Sequence, residues 1–240
     1  VGGLVLRADN AGTGTGTVTF GGGQISTAGT VSIFYNPTGS NSAINATKYT
    51  APTQTNFSGN VAGGATLNTY MLVNNVYDLQ NMKNSLAGAY ALGRHIDAGI
   101  TSGWNAGAGF DPIGKIAAPD NFTGSFDGLG HTINTLTIAR PLTDNVGLFG
   151  YAVGAPGATM RNVTLSGGSV TGANYVGNLV GHNTGQIINS RSTQSVSGAS
   201  YVGNLVGWNT GNLSYNSASG SVTGTADYIG GLAGWVTGNI

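Results

Sequence analysis

The chain has 240 residues, of which 43 are glycine, 40% are apolar and only 7% are charged, with eight basic side chains against eight acidic ones. That balance excludes a disordered tail, which needs high charge and little apolar content. It also removes the electrostatic basis for nucleic-acid or anionic-membrane binding, because Lys and Arg are few and scattered singly. No stretch approaches the roughly 20 apolar residues of a membrane span, and there is no cysteine to form a disulfide.

Taken in chain order, the N-terminal segment carries short alternating runs, Leu4-Val-Leu6, Val18-Thr-Phe20 and Val31-Ser-Ile-Phe34, separated by Gly-rich turns. These predict half-buried strands. Only the stretch near 78–87 has apolar residues at helical spacing, Leu79, Met82 and Leu86. A short helix is expected there, inserted on the side of the fold, with Asp78 as N-cap and Gly88 as stop. Strand patterns resume at Phe122–Ile133, Leu136-Thr-Ile138 and Met160–Leu165.

The strongest signal follows. Tyr175-Val-Gly-Asn-Leu-Val-Gly-His-Asn-Thr-Gly185 returns as Tyr201-Val-Gly-Asn-Leu-Val-Gly-Trp-Asn-Thr-Gly211, and again in looser form as Tyr228–Gly238. Gly181, Gly207 and Gly234 are 26 and 27 residues apart, and Val146-Gly-Leu-Phe-Gly150 is a shortened earlier copy. A second motif places Val170, Val196 and Val222 at equal steps of 26. Such a period predicts a solenoid, one coil per repeat. The fold class is therefore all-β, a right-handed parallel β-helix, with irregular coils over 1–139 and regular coils over 140–240.

Each regular coil is expected to hold three strands, near Leu179, Ile187 and Val196. Stacking would align Val146, Val176, Val202 and Ile229 in one ladder and Leu148, Leu179, Leu205 and Leu232 in another. The two apolar positions lie three residues apart, an odd spacing that would put them on opposite faces of a flat strand. The chain must bend between them, and Gly177, Gly203 and Gly230 are the expected bend points. The chain stops at Ile240 inside a repeat, which predicts a fragment of a longer protein whose open end frays after about Gly224 or associates end to end.

Candidate chemistry is sparse. The acids are Asp9, Asp78, Asp97, Asp111, Asp120, Asp127, Asp144 and Asp227, with no glutamate. Asp97, Asp111, Asp120 and Asp127 are close enough to share a face for a carbohydrate-active site, but Asp127 before Gly128 reads as a turn residue. His95, His131 and His182 lack metal-ligand spacing, so no metal and no cofactor is expected. Gly12-Thr-Gly-Thr-Gly16 lacks the following helix of a phosphate loop. Tyr151, His182, Trp208 and Trp235 follow the motif glycine in successive coils and should form an aromatic ladder. Such a ladder either stabilises the stack or offers flat surfaces to sugar rings. Asn-x-Ser/Thr triplets begin at Asn45, Asn56, Asn121, Asn162 and Asn212.

The Val-Gly-Asn-Leu-Val-Gly-x-Asn-Thr-Gly units resemble the GLUG repeat. The upstream stretch, from Leu6-Arg-Ala-Asp9 through Tyr70-Met-Leu-Val-Asn74 and Tyr90–Asp97 to Phe126-Asp-Gly-Leu-Gly-His-Thr-Ile133, resembles filamentous-haemagglutinin-type exoproteins of two-partner secretion. The Asn-Pro-Asn motifs of that family's secretion signal do not occur; Asn36-Pro37 is the single Asn-Pro. The resemblance implies a secreted bacterial surface scaffold or adhesin, exported by an outer-membrane transporter and binding a glycan or protein receptor. A carbohydrate-active β-helix enzyme and a self-associating fibre subunit are the alternatives.

Overall fold

A computed structural model describes residues 3–39, 42–154 and 159–240. Its spine is an eight-stranded sheet whose strands run Leu4–Arg7, Thr30–Tyr35, Thr66–Val73, Ala89–Leu92, Ser125–Asp127, Thr159–Arg161, Gln186–Ile188 and Asn212–Ser214 in spatial as well as chain order. Every strand pair among the described residues is parallel; one isolated bridge, Gly109 to Ile138, is antiparallel. Parallel neighbours in one sheet need a crossover between them, and strand twist gives that crossover a right hand. The result is a parallel β-helix.

The path between successive rungs varies upstream and settles downstream. Val31 lies 27 residues after its partner Leu4, Thr66 lies 36 after Thr30, and Tyr90 only 19 after Met71. Phe126 follows Tyr90 by 36 and Met160 follows Phe126 by 34, after which the steps become 27 and 26 at Ile187 and Leu213. Strands keep their inward residue in line throughout, while the excursions between them absorb the difference in length.

A regular coil holds five short strands rather than the three expected: Val176–Gly177, Val180–Asn183, Gln186–Ile188, Arg191–Ser192 and Ser195–Gly198. Two-residue strands carry no alternation, so periodicity does not reveal them. Val146, Val176, Val202 and Ile229 stand in one register. Leu179 N–H donates to Leu205 O at 3.0 Å and Leu205 N–H to Leu232 O at 2.9 Å. Leu179 and Leu205 are fully buried, a contribution of about 1.5–3 kcal/mol each.

The bend between the two apolar ladders falls at Asn178-Leu179 and Asn204-Leu205, one residue after the glycines expected to make it. Gly177, Gly203 and Gly230 do not adopt positive φ; Tyr175, Tyr201 and Tyr228 do, at 59°, 56° and 64°. The glycines serve close approach instead. A Cβ on Gly177 would lie 2.7 Å from Gly207 N and from Val206 Cα of the next coil.

The helix covers Val76–Asn81 and continues as a 3-10 turn over Met82–Asn84, so it starts earlier and ends sooner than 78–87. Its N-cap is Asn75, whose Oδ1 accepts from Tyr77 N and Asp78 N at 2.9 Å each. Asp78 sits inside the first turn, fully buried. Leu79 and Met82 are inserted into the one large core cluster, which runs from Val31 to Leu213. The helix therefore plugs the core as well as covering its side.

Candidate functional site

The four strands Phe149–Ala152, Val180–Asn183, Val206–Asn209 and Ala233–Val236 form one sheet. Its register aligns Tyr151, His182, Trp208 and Trp235. A second column, which the sequence reading missed, stands beside it: Tyr175, Tyr201 and Tyr228, each left-handed and each just before the Val or Ile of the apolar ladder. Left-handed backbone costs a non-glycine residue about 1–2 kcal/mol. The stacking it permits offsets that cost: Tyr175 to Tyr201 is 4.8 Å at 18°, and Tyr201 to Tyr228 is 4.7 Å at 15°.

The two columns also touch. His182 lies 4.9 Å from Trp208 at 3°, and Trp208 is 5.2 Å from Tyr175 and 5.5 Å from Tyr201. These separations match the ~4.8 Å rise of a parallel stack, so ring faces within the columns cover one another and ring edges remain open. Stacking breaks at both ends. Tyr151 meets His182 edge-on at 4.6 Å and 89°, and Trp235 meets Tyr228 at 4.7 Å and 83°. Burial holds the His182 imidazole below its ordinary pKa.

Next to Tyr175 opens a cavity of about 430 Å³, lined among others by Pro112, Ile116, Arg140, Asp144 and Asn145. Arg140 is fixed by donation from Nε to Phe110 O at 3.2 Å and by Asp111 at 3.3 Å, and Lys83 approaches the other Asp111 oxygen at 3.9 Å. Asp144 accepts from Asn174 N and Nδ2 at 3.0 and 2.9 Å. The cavity joins residues about 60 apart in sequence, 111–116 with 175, and no local motif announces such a site. A shallower groove of about 290 Å³ lies around Asn162, Asn189, Arg191 and the exposed Tyr215, with Asn189 Nδ2 donating to Asn162 Oδ1 at 2.8 Å.

A 127-residue stretch, half of the chain, is 43% identical to halomucin of Haloquadratum walsbyi (strain DSM 16790 / HBSQ001). The match covers 1% of halomucin's length. No family model matches the chain, and no solved structure does. The likeness to GLUG repeats and haemagglutinin-type exoproteins thus stays a matter of the residues quoted above.

Three of the four carboxylates considered for catalysis, Asp97, Asp111 and Asp127, have structural partners. Asp127, 3% exposed, accepts from Leu129 N at 2.9 Å and Asn162 Nδ2 at 3.0 Å, while its other oxygen takes Arg161 Nε at 2.7 Å. The turn role was legible from Asp127-Gly128; the ion pair, formed from the next coil, was not. Exposed Asp97 accepts from Gly99 N and Thr135 Oγ1 at 2.9 Å, which lowers its pKa. The N–H groups of Thr13 and Gly14 in the glycine-rich loop point at Asp9, 2.7 and 2.6 Å away, so the loop wraps its own carboxylate.

His95 and His131 meet edge-on at 5.0 Å, with His95 Nδ1 accepting from Thr132 N. Desolvation first, then the neighbouring His95 and Arg7, lower the pKa of His131. No group of three or more His, Cys, Asp or Glu able to hold a metal occurs among the described residues. No described helix is long and apolar enough to cross a membrane.

Proposed function

We propose that the chain is part of an extracellular surface protein, a non-catalytic β-helical scaffold that attaches to a glycan through the cavity beside Tyr175. The observation that carries the extracellular reading is the 43% identity with halomucin over half the chain, a protein whose name places it among mucins. The scaffold reading is supported by coils that add in one dimension and by Asp97, Asp111 and Asp127, whose carboxylates already hold structural partners. Adhesion, export by a two-partner-secretion transporter and surface anchoring follow from the haemagglutinin-type resemblance and are proposed on that basis. The cavity suits a sugar: the Tyr175 ring borders it, and Arg140, Asp144 and Asn145 bring planar polar groups to the same space.

A panel of neutral and acidic glycans tests the proposal. Saturable binding without product is expected, weakened about tenfold or more by Arg140→Ala and by Tyr175→Asn. Asparagine suits that position because Asn145, the matching residue of the preceding coil, is left-handed too, at φ 58°. Release of cut glycan by the wild type would replace the scaffold with a carbohydrate-active enzyme. Unchanged binding by both variants would move the site away from the cavity.

A further inference from the structure

Between the excursion that follows the Thr30–Tyr35 strand and the helix, one lysine and one carboxylate are shut away from water together. The Lys48 and Asp78 side chains are 2% and 1% exposed, and Lys48 Nζ lies 3.8 Å from Asp78 Oδ1. That separation is too long for a hydrogen bond, which needs about 2.7–3.2 Å. Nζ reaches Pro37 O at 3.3 Å and lies 5.5 Å from the centre of the buried Tyr49 ring. Asp78 Oδ2 accepts from Asn74 N at 3.2 Å, while Oδ1 has no hydrogen-bond partner among the described residues.

A desolvated ion pair without direct hydrogen bonds is a costly arrangement, since attraction repays the loss of water only where the geometry is good. Burial pushes the Asp78 carboxyl up to about 6, against the lowering by Lys48 and by the Asn74 amide. The neutral acid and neutral amine are thus a single proton transfer away, inside a pocket that holds the two groups together and excludes water.

From this geometry we infer that Lys48 and Asp78 condense to an isopeptide bond between Nζ and Cγ. The proton first passes from Nζ to Oδ1. The freed lone pair on Nζ then attacks Cγ, and charge gathers on Oδ2, the oxygen that Asn74 N–H already holds. The Cγ–Oδ1 bond breaks, and Oδ1 leaves as water, carrying the transferred proton and a second one from Nζ. Oδ2 becomes the carbonyl oxygen of a neutral amide. No oxidant or co-reactant is needed, and one water is the only molecule released.

The bond would fasten the excursion between the Thr30–Tyr35 and Thr66–Val73 strands to the helix that fills the core. It gives a chain with no cysteine a covalent brace that does not depend on thiol chemistry. The inference stands apart from the proposed glycan binding, because Lys48 and Asp78 do not line that cavity.

The purified full chain, denatured and weighed intact by mass spectrometry, should be lighter than its sequence by one water. Proteolysis should yield one branched peptide joining the segments around Lys48 and Asp78, with no tryptic cleavage after Lys48. Lys48→Arg keeps the charge and cannot condense, so it should restore the full mass. The wild-type mass decides the matter even where that variant fails to fold. A wild-type chain of full mass would overturn the inference. So would a lost water that maps elsewhere, for instance to a succinimide at Asp127-Gly128.

Discussion

Gly207 shows how a single hydrogen atom becomes a structural requirement. Its backbone passes so close to the preceding coil that an added Cβ would sit 2.5 Å from Tyr175 C and 2.6 Å from Gly181 O. Gly181 and Gly234 meet the same limit: the added atom would lie 2.6 Å from Val146 N in one case and from Val202 N in the other. These contacts are with backbone, which cannot rotate away. Gly207→Ala should therefore destabilise the fold by about 1–3 kcal/mol. Gly231, where an added Cβ would meet no atom within 4 Å beyond its chain neighbours, should tolerate alanine within about 0.5 kcal/mol. Thermal or urea unfolding of the two variants checks this, and equal losses would remove close approach as the reason for the motif glycine. The identity of the glycine was legible from its recurrence. Its reason was not, because sequence shows a residue's neighbours along the chain and conceals those in the next coil.

Among the elements, the aromatic columns respond to pH. His182 is stacked flat on Trp208 and edge-on to Tyr151, and burial lowers its pKa in the fold. A histidine depressed in the folded state stabilises the fold above its unfolded pKa of about 6.5. That contribution is lost as pH falls through the folded value, because the unfolded chain takes up the proton first. Through His182 the melting temperature should drop between neutral pH and pH about 5, against an opposite contribution from the raised Asp78 carboxyl wherever that group is still free to titrate. His182→Tyr, which copies Tyr151 from the preceding coil, should shrink that drop. His131 shifts in the same direction, so the difference between variant and wild type is the informative quantity, and identical pH profiles would sink the assignment.

The elements also show where sequence reading stops. The Trp208 and Trp235 column could be read from one motif, and the tyrosine column was available in the same way, since Tyr175, Tyr201 and Tyr228 recur in step. It was missed because a residue before a strand is ordinarily assigned to the turn. The helix was found by its spacing, but its cap was misplaced. Asn75 and Asp78 are both good capping residues, and only the fold shows that Asp78 turns inward, to Asn74 N and the buried Lys48. The cavity at Tyr175 had no local trace at all, being assembled from separate coils.

At the scale of the whole molecule, parallel stacking was legible because the repeats are nearly identical and their inward residues must align. The irregular steps of 36, 19, 36 and 34 residues upstream were not, since an excursion of any length leaves the ladder intact. Stability along the axis is uneven. After Leu213 no residue is buried, and Ile229 and Trp235 are 40% and 36% exposed. Local opening follows such thin packing. Amides of 222–240 should exchange with solvent faster than those of the coils spanning 146–213 when followed by hydrogen exchange on this chain. Equal protection across both segments would mean that the last coil is held by something other than side-chain burial.

The rungs are hydrogen-bonded along the axis, and this has a mechanical corollary. A tension applied along that axis loads one inter-coil ladder at a time, so the stack yields by shedding single coils. Each coil occupies about 4.8 Å of the stack, yet its 26 residues stretch to roughly 90 Å when drawn straight. Every coil surrendered thus releases nearly twenty times its own height in slack. A tether made this way lengthens under a tug and keeps hold of what it is attached to.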